Sequence, residues 1–454
     1  MKFPTPRLPA LIACSILACS TSAKTDLEDL SGQTIEKLGA KERLTAAKSN
    51  TEEELTMADP MGGAKNYLKF DRKGQLRYGD KVYAEIGLNL PNLFQDLWNE
   101  RSSGRMLNNE NSTMQNTDQF LGKLAKLGFT TIRTYAHPKE GSDLLATLED
   151  QEKKESIFFE SLDQLLDLTK RHNIKLVLSL GSGHFHLTKQ STRSQAESIK
   201  TLLASPQSPE RKALNSHLIE LVARYKDHPS ILIWEIHDNL SSQINTAASD
   251  QSVKGPNLLD LAKFYHETSK VIKEVDPQRL VSSGDGALGE KQWQVYTNSS
   301  KDRDNYADHI KAFELIYSNS SLDFMSIDYA KQGLLLASPI SKHEILNIGN
   351  YKKISRVVKR PLIISEFTPL ERRRGKLVID SQSIKDSEAT DTLHKQLTEL
   401  VDSGVNLAFF CCIEKSKEKS EHNANDSDGF LGHNSELISI LKSYNDKLKN
   451  KPAL

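Results

Sequence analysis

The feature that most constrains this chain is a rhythm. Eight times, a short apolar run alternates with a segment whose apolar residues recur at helical spacing. Val82–Leu90, Thr130–Tyr135, Lys175–Leu180, Ile231–Trp234, Arg279–Ser283, Leu322–Ile327, Pro361–Glu366 and Val405–Cys412 read as strands. Asp118–Leu127, Ser156–His172, a segment ending at Lys226, Leu258–Val275, Tyr306–Ser318, His343–Val358, Ser387–Ser403 and Glu436–Leu448 read as helices. The strands carry little polar alternation, which suits parallel strands covered on both faces. Eight such alternations are what a closed parallel barrel needs, so the expected fold is α/β, a (β/α)8 or TIM barrel. The chain's 454 residues exceed the roughly 250 that such a barrel takes.

One stretch shows how the rhythm delivers chemistry. Leu218, Leu221, Val222 and Tyr225 share a helix face, and Pro229 stops the helix. Ile231–Trp234 then runs as a buried strand. His237, Asp238 and Asn239 follow at its carboxyl end, where parallel barrels place their active sites.

The remaining composition bounds the partners. Lys plus Arg equals Asp plus Glu at 60 each. No global basic field points to nucleic acid. Lys2 and Arg7 precede the apolar stretch Leu8–Cys19, so residues 1–23 read as an export signal, too short to span a bilayer comfortably. Ile16-Leu17-Ala18-Cys19 and Leu11-Ile12-Ala13-Cys14 both look like lipoprotein cleavage sites, and ordinary cleavage near Ala23 is the alternative. The expected location is extracellular, periplasmic or lipid-anchored to the envelope. Residues 24–66 read as a polar tether and residues 67–450 as the barrel domain, entered through a small hairpin over Tyr67–Tyr83. Beyond the signal only Cys411 and Cys412 remain, which make neither a disulfide framework nor a metal spacing. No cofactor, no metal and a monomer are expected.

Arg224–Ile236 resembles the fourth-strand motif of clan A glycoside hydrolases, especially the mannanases and cellulases of glycoside hydrolase family 5. Leu124–Arg133, Val275–Val281 and Arg360–Phe367 resemble the family's second strand, its lead-in to strand five and its seventh strand. The resemblance spans about residues 82–448 and implies an ancestry in retaining hydrolysis of β-linked oligo- or polysaccharides. It gives Glu366 the nucleophile's position and Asn239 the position of the acid/base Glu. Retaining hydrolysis needs two carboxyl groups about 5–5.5 Å apart, and an amide has no proton to give. Asp238 is one residue away, but strand neighbours point to opposite sides. Glu235 lies deeper and is structural in the family. Asp328 falls where the family has His, and Ala330 where it has Tyr; Tyr329 is the nearby phenol. The strand-eight Trp has no counterpart in Ala408–Cys412.

The expected substrate contacts are Arg133, holding Glu366 ionised, with Asn89, His137, His184, Trp234, Asp328 and Tyr329. Trp98 and Trp293 are loop candidates for sugar stacking or for packing. His184 and His186 share a face, where sugar contact or surface exposure outweighs a metal. Gly284-Asp285-Gly286-Ala287-Leu288-Gly289 matches a dinucleotide-binding pattern, but no convincing helix opens there. Two functions remain open on these residues. One is an exported glycoside hydrolase of weak or altered activity. The other is a non-catalytic carbohydrate-binding or surface interaction protein built on the barrel.

Overall fold

The computed structural model describes residues 67–72, 74–103, 112–136, 148–181, 195–242, 244, 256–286, 288, 306–329, 348–367, 371–373, 376–378, 387–411 and 435–450. The expected export signal and tether lie outside the described residues, as do His137, His184, His186, Trp293 and Cys412.

The chain enters through three short antiparallel strands, β1 (Leu68–Phe70), β2 (Leu76–Tyr78) and β3 (Lys81–Val82). The turn signals at Asp71–Gly74 and Gly79-Asp80 therefore make a three-stranded meander instead of a hairpin. Then follow β4 (Glu85–Asn89), α1 (Leu93–Ser102), α2 (Thr113–Leu127), β5 (Thr131–Tyr135), α3 (Leu148–Arg171) and β6 (Lys175–Ser179). Next come α4 (Gln195–Ala204), α5 (Pro209–Tyr225), β7 (Ile231–Glu235), α6 (Leu258–Val275), β8 (Leu280–Ser282) and α7 (Tyr306–Tyr317). The last group is β9 (Met325–Asp328), α8 (Ile348–Val357), β10 (Leu362–Phe367), β11 (Glu371–Arg373), β12 (Lys376–Val378), α9 (Ser387–Ser403), β13 (Leu407–Phe410) and α10 (Ser435–Lys449).

Eight strands pair in the order β8-β7-β6-β5-β4-β13-β10-β9, every pair parallel. A parallel bridge between Ser282 and Phe324 brings the two ends of that ladder together. The wall is thus a nearly closed (β/α)8 barrel, as the eightfold rhythm predicts. Helices α1 and α4 and the β11–β12 ribbon are additions that the rhythm did not announce.

Local chemistry explains the joints. Ser112 caps α2 by accepting from the Gln115 amide, and Gly128 ends it at φ +92°, a left-handed turn that glycine enters without steric cost. Asn257 and Asp260 form a reciprocal capping box on α6. Arg279 ties the turn after α5 to β7: its guanidinium donates to the carbonyls of Lys226, His228 and Ile231.

Two apolar clusters form among the described residues. The larger lies between strands and helices and holds Ile86, Leu88, Leu176, Trp234, Phe264 and Tyr265. The smaller contains Leu232, Leu280, Phe324, Ile363 and Leu407, which sit at or next to the amino ends of their strands, together with Leu68 and Leu76 of the meander. The Phe70 ring meets Phe324 edge-on at 5.3 Å. The meander therefore plugs the amino end of the barrel, which leaves the carboxyl end for ligands.

Candidate active site

The carboxyl ends of β5 and β7 are joined by a buried ion web. Arg133 is the middle residue of β5 and has no exposed surface. Its Nε donates to both Glu235 oxygens at 3.1 and 2.9 Å, and its Nη2 donates to Glu235 Oε1 at 2.6 Å and Asp238 Oδ1 at 2.9 Å. Nη1 donates to the Tyr135 hydroxyl at 3.2 Å. Burial opposes the charge, but Glu235, Tyr135 and Asp238 outweigh it and hold the guanidinium protonated well above its ordinary range. Burial pushes the Glu235 carboxyl above its ordinary value, and Arg133 pulls it partly back. Burial, then the charge of Asp238, raises the Tyr135 phenol well above its ordinary range. The sequence expectation that Arg133 serves Glu366 is corrected: its hydrogen bonds go to Glu235, Asp238 and Tyr135, which lie nearer along its own side of the barrel.

Asn239 is tied at every polar atom of its side chain. Its Nδ2 donates to Asp328 Oδ2, and its Oδ1 accepts from the Gly286 amide at 3.1 Å. Its own backbone N–H donates to the Gly284 carbonyl at 3.2 Å. The backbone sits at φ +57°, a conformation that Asn tolerates better than most residues. One amide thus stitches the carboxyl end of β7 to the ends of β8 and β9. Two glycines make the stitch sterically feasible. A Cβ on Gly286 would lie 2.0 Å from Asp328 Cγ, and one on Gly284 would lie 2.5 Å from the Glu235 carboxyl carbon. The G-x-G pattern is therefore a packing requirement over buried carboxylates. Beside it, Asp285 accepts from the Ser241 amide at 2.9 Å, the Ser241 hydroxyl and the Tyr265 hydroxyl at 2.8 Å.

Across the barrel, Glu366 ends in a different setting. It lies in β10 in register with Asp328 of β9 and is 5% exposed. Asn89, the last residue of β4, donates from Nδ2 to Glu366 Oε2 at 3.4 Å and to Cys411 Sγ at 3.5 Å. The strand between β4 and β10 is β13, so the Asn89–Glu366 bond crosses the inside of the barrel mouth.

Other expected contacts move away from the site. Trp234 is fully buried in the layer between strands and helices, and its Nε1 donates to Asp276 Oδ2 at 2.9 Å. Its strand position faces outward, so it packs the wall and does not line the mouth. Tyr329 points to the helical layer, where its hydroxyl donates to Glu399 Oε2 of α9 at 2.6 Å. Asp328, expected to touch substrate, is fully buried under Gly286 and holds Asn239. Trp98 lies on α1, half-buried against the core. Tyr135 went unnoticed in the sequence, although the period-2 rule places it on the same face as Arg133. Among the described residues, no group of three His, Cys, Asp or Glu side chains is arranged to hold a metal ion. Nor is any helix there long and apolar enough to cross a membrane.

Comparison with known proteins agrees with the fold. No family model matches the chain. A probable mannan endo-1,4-β-mannosidase A-2 from Aspergillus terreus is 24% identical over 135 residues, which cover 28% of this chain and 30% of that protein's length. The match to this curated relative thus spans less than a third of it. A glycoside hydrolase family 5 mannosidase from Rhizomucor miehei superposes with a TM-score of 0.56 at 15% identity, covering 85% of this chain and 98% of that one. The endo-β-1,4-mannanase from Thermotoga petrophila superposes with a TM-score of 0.51 at 16% identity, covering 83% of this chain and 79% of the other. The barrel is that of the family 5 mannanases in fold.

Proposed function

We propose that this protein is an exported, mannanase- or cellulase-like barrel that binds β-linked oligosaccharides and has lost assisted departure of the leaving group. Glu366 is the nucleophile, and it cleaves only glycosides whose leaving group departs without a proton. The observation that carries this reading is the stitching of Asn239. The residue at the donor's position has no acidic proton, and both ends of its amide are occupied by Asp328 and Gly286. Asp238 does not take over, because its carboxylate is the second partner of the Arg133 guanidinium. A general acid typically contributes about 10²–10⁴-fold, so unassisted cleavage of a polysaccharide is slow by that factor.

The mechanism that remains is short. Glu366 attacks the anomeric carbon, the glycosidic bond breaks, and an activated leaving group carries its electron pair away as a stable anion. Water then releases the sugar from Glu366.

The test compares leaving groups. Purified protein is given 2,4-dinitrophenyl β-mannoside and β-glucoside beside mannohexaose and cellohexaose. Release of dinitrophenolate with no cleavage of the hexaoses is the expected result. Equal turnover of both classes overturns the reading, because it requires a working acid. Oligosaccharide binding with no turnover of either class favours the second function, a non-catalytic carbohydrate-binding protein.

A further inference from the structure

Asn89 lies outside the positions for which the sequence motifs give a catalytic role, yet its side chain donates to Glu366. It is 1% exposed, and its Oδ1 has no hydrogen-bond partner among the described residues. The amide's orientation follows from its neighbour: only the NH2 end can face a carboxylate, so Nδ2 belongs on Glu366 Oε2. Oδ1, on the other branch of the amide, then points away from Glu366 Oε2. A buried carbonyl oxygen left unsatisfied costs about 1–3 kcal/mol, so a ligand donor that completes it recovers energy of that order.

We propose that Asn89 is a two-sided positioning residue: Nδ2 steers Glu366 Oε2, and Oδ1 accepts a hydroxyl of the bound sugar beside the attacking oxygen. The inference rests on the nucleophile assignment of Glu366. Its geometry assigns the ligand a chemical class, a hydroxyl donor, at the seam of β4, β13 and β10. Cys411 is the backstop. Its Sγ accepts the second Nδ2 hydrogen, which keeps the amide from swinging toward the wall.

The experiment measures labelling of Glu366 by 2-deoxy-2-fluoro-β-mannosyl and β-glucosyl fluorides in wild type, Asn89→Ala and Asn89→Asp. Intact mass is followed over time at several reagent concentrations. Circular dichroism confirms that each variant is folded. Asn89→Asp keeps an acceptor for the sugar but sets a carboxylate against Glu366, so its labelling rate at saturating reagent falls about 100-fold or more. Asn89→Ala loses both contacts: the saturating rate falls and the half-saturating concentration rises about tenfold. Unchanged rate and half-saturation in both variants, with wild type labelled, overturn the role of Asn89 and leave the nucleophile standing. If wild type is not labelled, calorimetry with mannotriose reads the hydroxyl contact alone. A tenfold weaker affinity in Asn89→Ala then supports that contact, and equal or absent binding overturns it.

Discussion

The two sides of the barrel mouth hold the same kinds of residues in opposite conditions. On the β7–β9 side, Glu235, Asp238, Asn239 and Asp328 are bound to Arg133, to each other and to backbone. On the β10–β4 side, Glu366 accepts a long bond from Asn89, whose carbonyl oxygen has no partner among the described residues. One side spends its polar groups on holding strands together. The other holds the proposed attacking carboxylate and the proposed acceptor for a ligand. On the proposed reading, the side without a proton donor has turned its polar groups to structure, as buried polar groups must be paired wherever they do not meet a ligand.

The largest effect that sharpens this contrast is on Arg133. Replacing it with Met strips Glu235 of its cation in a wholly buried site, which costs about 3–5 kcal/mol. The urea midpoint reads the loss. The loss also has a pH signature. Glu235 already titrates above its ordinary value, and without Arg133 it rises further. A carboxyl whose folded pKa exceeds the unfolded one favours folding at low pH, and that contribution is lost as pH rises through the folded pKa. Arg133→Met is therefore closest to wild type near pH 4 and furthest from it near pH 8. A constant difference across that range breaks the assignment.

Gly286→Ala comes next. Its Cβ would meet Asp328 at 2.0 Å, so β8 and β9 must separate at a cost of about 1–3 kcal/mol or more. Asn239→Gly isolates the stitch, because glycine takes the φ of +57° freely. Stability falls by about 1–3 kcal/mol as Asp328 loses its donor, while labelling of Glu366 keeps its wild-type rate. A labelling rate that collapses in Asn239→Gly would show that the two sides are one unit. Tyr329→Phe is the smallest: about 1 kcal/mol of stability through Glu399 and no change in labelling. A fall in labelling there would show that Tyr329 bears on the site and not only on α9.

The fold was legible because barrel strands announce themselves. Ile231–Trp234 and Pro361–Glu366 are apolar runs between turn signals, and β7 and β10 lie there. Asn89 and Glu366 could be placed at or near strand ends, and Arg133 within its strand, for the same reason. Their pairings could not. Whether Arg133 meets Glu235 or Glu366 depends on strand tilt and register, which no local pattern carries. Trp234 and Tyr329 were misjudged because a strand end offers both an inward and an outward face, and a buried aromatic with a polar tip satisfies either. Gly284 and Gly286 were visible as a motif, but the carboxylates that require them lie on other strands.

The most direct test of the account is intact-mass labelling with 2-deoxy-2-fluoro-β-mannosyl and β-glucosyl fluorides, followed by peptide mapping, on wild type and Glu366→Gln. These reagents need a nucleophile and no proton donor. One added sugar is expected on wild type, mapped to Glu366, and none on Glu366→Gln. Folded wild-type protein that takes up no label from either reagent would contradict it and make the β10–β4 side as inert as the side that Asn239 has sealed.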